Sequence, residues 1–137
     1  MDTVGEFEPE TEDEARRRYE AVGPAAQTAV REVARAMDFD REEYEERVTR
    51  DVVATARDAI FASLLAVTVG TAEEYDAWRE AFDGEVVEVG SEHVDNVVWH
   101  APPFADRAVA ATFQHERDAA VATLRRQAFG RLYRELF

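Results

Sequence analysis

Apolar positions recur with a helical period through the N-terminal half of the chain. Thr11, followed by a glutamate three residues later, predicts the start of a first helix, Gly23 ends that helix, and Pro24 suits the first turn of a second. A third helical stretch begins at Asp40 and breaks near Thr49. The apolar stripes of the second and third stretches comprise Ala26, Val30, Val33 and Met37, and then Tyr44, Val48, Val52 and Ala56.

The second half of the chain carries patterns that are typical of β-strands. The dense apolar run over 62–70 predicts a buried strand, and continuation of the preceding helix over 54–65 is the alternative. Thr71 and a glutamate three residues later predict a capped helix. The residues that follow predict three short strands, at 85–89, 96–101 and 108–114. The last segment, 116–137, predicts a C-terminal helix that packs on a sheet.

Together these elements predict an α+β fold. A helical N-terminal half, 11–58, precedes a β-α-β-β-β-α unit, 59–137, whose antiparallel or mixed sheet is packed by helices on one face. We expect one domain over 11–137, because a chain of 137 residues suits a single core. Residues 1–10 predict a polar tail outside it, and the pattern leaves open whether that tail is ordered.

Composition adds an unusual surface to this fold. All sixteen basic residues are arginine, none is lysine, and thirty carboxylates bring the formal net charge to −14. Such a charge repels itself in dilute buffer, but the Debye length falls to about 3 Å in 1 M salt. Short carboxylates also keep a surface hydrated where salt strengthens hydrophobic association. The composition therefore favours a halophilic protein that folds in a salt-rich cytoplasm.

Several classes of function are disfavoured by the same composition. The absence of cysteine excludes thiol catalysis, cysteine zinc sites and redox switching. The acidic N-terminus does not resemble a secretory signal, and the longest apolar run, 59–70, is too short to span a membrane. An acidic surface repels nucleic acid. We therefore expect a cytoplasmic location, with no membrane and no nucleic acid among its partners.

The three histidines do not predict a metal site. If the strands around residues 100 and 113 form a hairpin, His100 and His115 share one face at a separation of roughly 20 Å, because a strand rises about 3.3 Å per residue. His93 lies in a turn and approaches only one of them. The chain also lacks a glycine-rich phosphate loop and a nucleophile elbow. We expect no metal, no cofactor and no catalytic residue, which disfavours an enzyme.

Trp99 and His100 are the first candidate site residues. They are neighbours on a predicted strand, so their side chains face opposite ways. The simplest arrangement buries Trp99 and gives His100 a structural role with hydrogen bonds. If the C-terminal helix covers the face of His100 instead, Trp99 becomes a partner-facing aromatic anchor.

Arg125 and Arg126 are the other candidates, because the C-terminal helix is the one cationic element. Residues 116–137 contain five arginines and three carboxylates, which gives a net charge of +2, whereas residues 1–115 carry a net charge of −16. The arginines scatter around the helix, which does not suit a stripe that tracks phosphates. We expect Arg125 and Arg131 to lay their stems on the core and pair with carboxylates of the N-terminal helices. The alternative is an anionic ligand or an acidic partner.

Four segments of the chain resemble a small haloarchaeal family of proteins of unknown function. They are GPAAQTAVRE from Gly23, RDVVATARDA from Arg50, VVWHAPPF from Val97 and ATLRRQAFGRLYRE from Ala122. The resemblance implies an archaeal cytoplasmic setting. It transfers no catalytic residue, because that family carries no assigned activity.

Two hypotheses of function follow. The first is a non-enzymatic protein-interaction or regulatory module, with a protein partner or a second copy bound at the sheet around Trp99 or at a helix face. The alternative is a small-molecule binding protein, or a minor enzyme, in which His100, Arg125 and Arg126 surround an anionic ligand.

Overall fold

A computed structural model of the chain describes residues 1–137. The elements follow in the order β1, α1 to α4, β2, α5, β3 to β5 and α6. The helices are α1 Glu12–Ala21, α2 Gly23–Ala36, α3 Arg41–Arg47, α4 Arg50–Ser63, α5 Ala72–Ala81 and α6 Arg117–Ala128. The strands are β1 Asp2–Val4, β2 Val67–Thr71, β3 Glu85–Val89, β4 Asn96–His100 and β5 Arg107–Phe113.

The strands form one mixed sheet in the order β1-β2-β4-β5-β3. β4 runs antiparallel to both of its neighbours, β1 runs antiparallel to β2, and β3 runs parallel to β5. One edge strand is β1, which has three residues. The other is β3, in which Glu85 and Glu88 are exposed. The α+β fold and its mixed sheet are thereby confirmed.

Helices cover both faces of this sheet, whereas the sequence predicted one covered face. The larger core joins one face to α1, α4 and α6, and the smaller cluster joins the other face to α5. The reason is the parallel alignment of β2 and β3, which are separated by two strands. A connection between parallel strands has to cross a face of the sheet, and α5 makes that crossing.

The N-terminal segment is part of the sheet, in contrast to the predicted polar tail. Asp2–Val4 pairs with residues 67–69 of β2. Phe7 is buried in the larger core, and its carbonyl accepts a hydrogen bond from the amide of Ala66 at 2.7 Å. The segment is too short and too polar for its sequence pattern to predict a strand. The strand is recognised only from its pairing with β2 in the structure.

The boundary between α4 and β2 also differs from the first expectation. The predicted strand over 62–70 is wrong in its first half, because α4 continues to Ser63, close to the alternative of a helix that reaches residue 65. The strand begins at Val67. The predicted break near Thr49 is confirmed, since the side chain of Thr49 caps α4. The predicted cap at Thr71 is confirmed as well, because Thr71 and Glu74 form a capping box at the start of α5.

The C-terminal helix is shorter than predicted. α6 ends at Ala128, and the chain then widens into a π-helical turn, Phe129–Tyr133, followed by a short 3-10 turn, Arg134–Leu136. This wide turn buries Phe129, Leu132 and Tyr133 in the larger core. The turn therefore carries Tyr133 to the sheet face on which His100 lies.

Candidate functional site

His100 lies at the end of β4, inside the larger core. Its side chain is 1 % exposed. The Nδ1–H group donates to the carbonyl oxygen of Ala66 at 2.6 Å, and Nε2 accepts from the Tyr133 hydroxyl at 2.7 Å. Both ring nitrogens are thus satisfied by groups of the chain itself.

The surroundings keep this imidazole neutral. The pKa of His100 is lowered to about 4, mainly by burial; the hydrogen bond to Ala66 acts to raise it, and the positive charge of Arg125 acts to lower it. Burial also raises the pKa of Tyr133, which keeps its hydroxyl proton available for donation. His100 and Tyr133 therefore form an uncharged hydrogen-bonded pair that connects β4 to the wide turn.

Arg125 holds the turn between α4 and β2. Its Nε donates to the carbonyl of Leu65 at 3.0 Å, and its Nη2 donates to the carbonyl of Val4 at 3.2 Å. The predicted pairing of Arg125 with carboxylates of the N-terminal helices therefore does not form, and Arg131 donates to the side chain of Gln127 instead. Since His100 binds the next carbonyl, that of Ala66, the two residues clamp one turn from two sides.

Arg126 is exposed beside this clamp. Its guanidinium contacts only the hydroxyl of Thr123, at 3.5 Å. Arg125 and Arg126 both line a shallow cleft of about 260 Å³ between α4 and α6, but His100 does not. The three residues therefore do not converge on one pocket, and the alternative of an anionic-ligand site built from them gains no support.

Trp99 faces the other side of the sheet, as the strand alternation predicted. It is 3 % exposed and packs against Tyr75 and Trp78 of α5, at ring-centroid distances of 5.3 and 5.5 Å. The C-terminal helix does cover the face of His100. Trp99 is nevertheless not a partner-facing anchor, because α5 shields it.

A polar cleft of about 380 Å³ lies between α5 and the loop that connects β3 to β4. Here Arg79 forms an ion pair with Glu88, and the Tyr75 hydroxyl donates to the same carboxylate at 2.6 Å. The hydroxyl of Thr112 is buried without a partner behind Gly90. The ion pair and the tyrosine satisfy one another, so these three groups are not free to hold a ligand.

The helical arm, residues 27–60, is built differently from the rest of the molecule. It comprises most of α2, all of α3 and most of α4. Ala34 is its only buried side chain. Ile60, at its base, is the only residue of the arm among the hydrophobic side chains that form or pack against the two cores. The arm therefore extends from the α+β body without a core of its own.

An apolar groove runs along this arm between α2 and α4. Its volume is about 490 Å³, and nine of its ten lining residues are hydrophobic. Val33 and Met37 are each 59 % exposed, and Val52 is 43 % exposed. The lining residues are Ala29, Val30, Val33, Ala34, Met37, Phe39, Arg47, Val48, Val52 and Ala56.

The predicted apolar stripes of α2, α3 and α4 supply most of this groove. The residues were therefore visible in the sequence, but their exposure was not. A stripe at helical spacing shows which side of a helix is apolar and does not show whether another element of the same chain covers it. Tyr44, in α3 at the tip of the arm (residues 38–47), is likewise 37 % exposed.

Some arginines of the arm have an ion-pair partner within the chain and others have none. Arg35 pairs with Glu32, and Arg41 pairs with Glu45. Arg31 and Arg50 form no ion pair, and Arg47 lies over the ring of Phe39 at 5.6 Å instead. In α1, by contrast, Arg16 pairs with Glu12 and Arg18 pairs with Glu14, each one turn earlier.

Two general features complete the description. None of the helices has both the length and the apolar character that crossing a bilayer requires. No group of three or more histidine or acidic side chains is arranged to hold a metal ion.

Comparison with other proteins places the chain in a family without assigning an activity. Neither a curated protein nor a solved structure matches it. A family model matches residues 6–134, which includes both the clamp around Ala66 and the whole helical arm. The chain therefore belongs to the family of unknown function DUF5809.

Proposed function

We propose that this protein is a non-enzymatic protein-interaction or regulatory module and that the apolar groove of the helical arm is its docking surface. The observation that carries this proposal is the burial pattern: one buried side chain in the whole arm, next to a groove whose lining is almost entirely apolar.

The energetics of the arm support a docking role. Ordering a residue costs about 1–2 kcal/mol of backbone entropy, and burial of apolar surface is the main term that offsets this cost. Within the arm only Ala34 is fully buried, and Val33, Met37 and Val52 remain exposed. A helix laid into the groove would cover Val33, Met37 and Val52 and would supply the missing contacts, as in helix-in-groove recognition.

The chemistry of the groove favours binding over catalysis. Arg47 is its only charged lining residue, and that guanidinium is stacked on Phe39. His100 and Tyr133, two buried polar groups with shifted pKa, bind each other inside the body and lie outside the groove. Protein recognition through apolar contacts is therefore the activity that this surface suits best.

The setting that we propose is the cytoplasm of a salt-adapted cell. Thirty carboxylates and the complete absence of lysine support it. In molar salt the repulsion between acidic proteins is screened, and apolar contacts strengthen. A docking surface made of apolar side chains suits such a solvent better than one made of ion pairs.

Photo-crosslinking tests this function. A photoreactive amino acid replaces Val33 or Met37 in the full chain, and irradiation is carried out in the cells that make the protein. We expect covalent adducts from both groove positions. Ala54 is the matched control, because it is exposed on α4 opposite Val52 and outside the groove. Absence of adducts, or equal yields from all three positions, would refute the proposal.

A further inference from the structure

We infer that the occupant of the groove is a second copy of this chain, so that two helical arms pack as a four-helix assembly. This inference rests on the proposed function of the groove. It adds the identity of the partner, and shape, charge and area each support it.

The shape of the arm is self-complementary. The same face carries a groove between α2 and α4 and protruding apolar side chains along it, chiefly Val33 and Met37. In a two-fold dimer each surface patch meets its own copy. The protruding side chains of one arm would enter the groove of the other, and the reverse contact forms by symmetry.

The charges of the arm favour an antiparallel orientation of the two copies. The tip, residues 38–47, carries six carboxylates and two arginines. α2 carries Arg31 and Arg35 against a single Glu32, and Arg31 has no ion-pair partner within the chain. If the arms run in opposite directions, the acidic tip of each copy lies beside the cationic α2 of the other.

The area of the face approaches that of a small specific dimer. α2 and α4 each have 14 residues, so each is about 21 Å long at ~1.5 Å per residue. With an interaxial distance of about 9 Å, the two helices present a face that projects roughly 400 Å². Side-chain relief and α3 raise the accessible area toward the ~600 Å² per partner at the lower end of specific interfaces.

The salt concentration should control whether the two arms associate. Two copies of a chain with a charge of −14 repel each other in dilute buffer, and molar salt removes this repulsion while it strengthens apolar contacts. The dimer should therefore be favoured by salt, whereas a contact made only of ion pairs would weaken.

Mass measurement by light scattering tests the inference on the purified full-length chain in molar KCl. We expect twice the chain mass of 15.5 kDa. Met37→Glu and Val52→Glu should each raise the dimer dissociation constant at least about tenfold, because a carboxylate would be buried without a partner. Both residues are exposed in the single chain, so helix content by circular dichroism should not change. Ala54→Glu is the control that remains dimeric.

The outcomes separate this inference from the proposed function. A monomer at all concentrations and salts overturns the second copy as occupant, and so does a dimer that survives both groove substitutions. The proposed function then still stands if photo-crosslinking at Val33 captures a different protein, and it fails if no adduct forms. Adducts of twice the chain mass, lost in Met37→Glu, support both.

A charge exchange tests the orientation. Arg31→Glu with Arg35→Glu should weaken the dimer several-fold at the lowest salt at which the wild type is dimeric. Adding Glu42→Arg and Glu46→Arg at the tip should restore it, because the two reversed surfaces again attract each other. Failure of this rescue would overturn the contact between tip and α2.

Discussion

At the scale of single residues, the chain from Ala66 through His100 to Tyr133 shows how a polar group is accommodated in an apolar core. Each ring nitrogen of His100 has one partner at short distance, so burial leaves no unmet hydrogen bond. The partners come from the turn before β2 and from the wide turn after α6. One histidine therefore joins three parts of the chain that are distant in sequence.

Tyr133→Phe should destabilise the protein by about 1–3 kcal/mol, because it leaves the Nε2 acceptor of His100 buried and unpaired. Urea unfolding in molar KCl measures this change in the free energy of unfolding. Tyr44→Phe is the control: Tyr44 is exposed, and its hydroxyl makes no hydrogen bond. Equal stabilities of wild type and Tyr133→Phe would show that the buried bond contributes nothing.

Acid should remove the stability that His100 contributes. The pKa is about 4 in the folded chain against 6.5 for the unperturbed group, so the unfolded chain takes up the proton first. The contribution is complete above pH 6.5 and is lost as the pH falls toward 4, by about 3 kcal/mol in total. The stability difference between wild type and His100→Gln isolates this effect from the carboxylates. A difference that stays constant over this range would contradict it.

The sequence reveals the opposite orientations of Trp99 and His100 because strand alternation is a local property. It does not reveal what covers each face. The partners of Arg125 are backbone carbonyls of Leu65 and Val4, and every residue has a carbonyl, so no side-chain pattern marks them. Carboxylates were the more visible partners, and the prediction of ion pairs failed for that reason.

At the scale of elements, the attachment of β1 depends on the backbone at Gly5. Gly5 has a φ of +126°, and a Cβ at this position would meet the carbonyl oxygen of Leu65. Only glycine lets the chain pass the turn before β2 this closely.

Gly5→Ala should therefore cost on the order of 2 kcal/mol and should detach β1. Hydrogen exchange should show lost protection at Asp2–Val4 and at their β2 partners, 67–69. Gly130→Ala provides the matched control, because nothing lies within 4 Å of its Cβ position. This substitution should be neutral or stabilising by up to about 1 kcal/mol. Loss of stability in both variants alike would contradict the role assigned to Gly5.

Among the elements, helices and strands with strong local signals were predictable. The capping side chains of Thr49 and Thr71 mark helix starts, and the strands of the second half have apolar runs between turn residues. β1 was not predictable, because a segment of three residues, two of them polar, becomes a strand only through pairing with β2. The wide turn after Ala128 has no local signature either.

At the scale of the whole molecule, thermal stability should rise steeply between low salt and molar KCl. The reason is the repulsion within a surface of net charge −14, which salt screens. Melting curves by circular dichroism across KCl concentrations measure the rise. Sucrose is the control solute, because it favours burial without screening charge. A flat response to KCl, or an equal response to sucrose, would remove the case for salt adaptation.

The edges of the sheet set a limit on how this protein can assemble. β1 offers only three residues for a further strand, and β3 presents Glu85 and Glu88 at the other edge. Short or charged edges resist the addition of strands from other molecules. Open-ended growth into fibrils is thus disfavoured in both directions. The two-fold association proposed for the arm would end at two copies, so it would let the chain reach high concentration without polymerising.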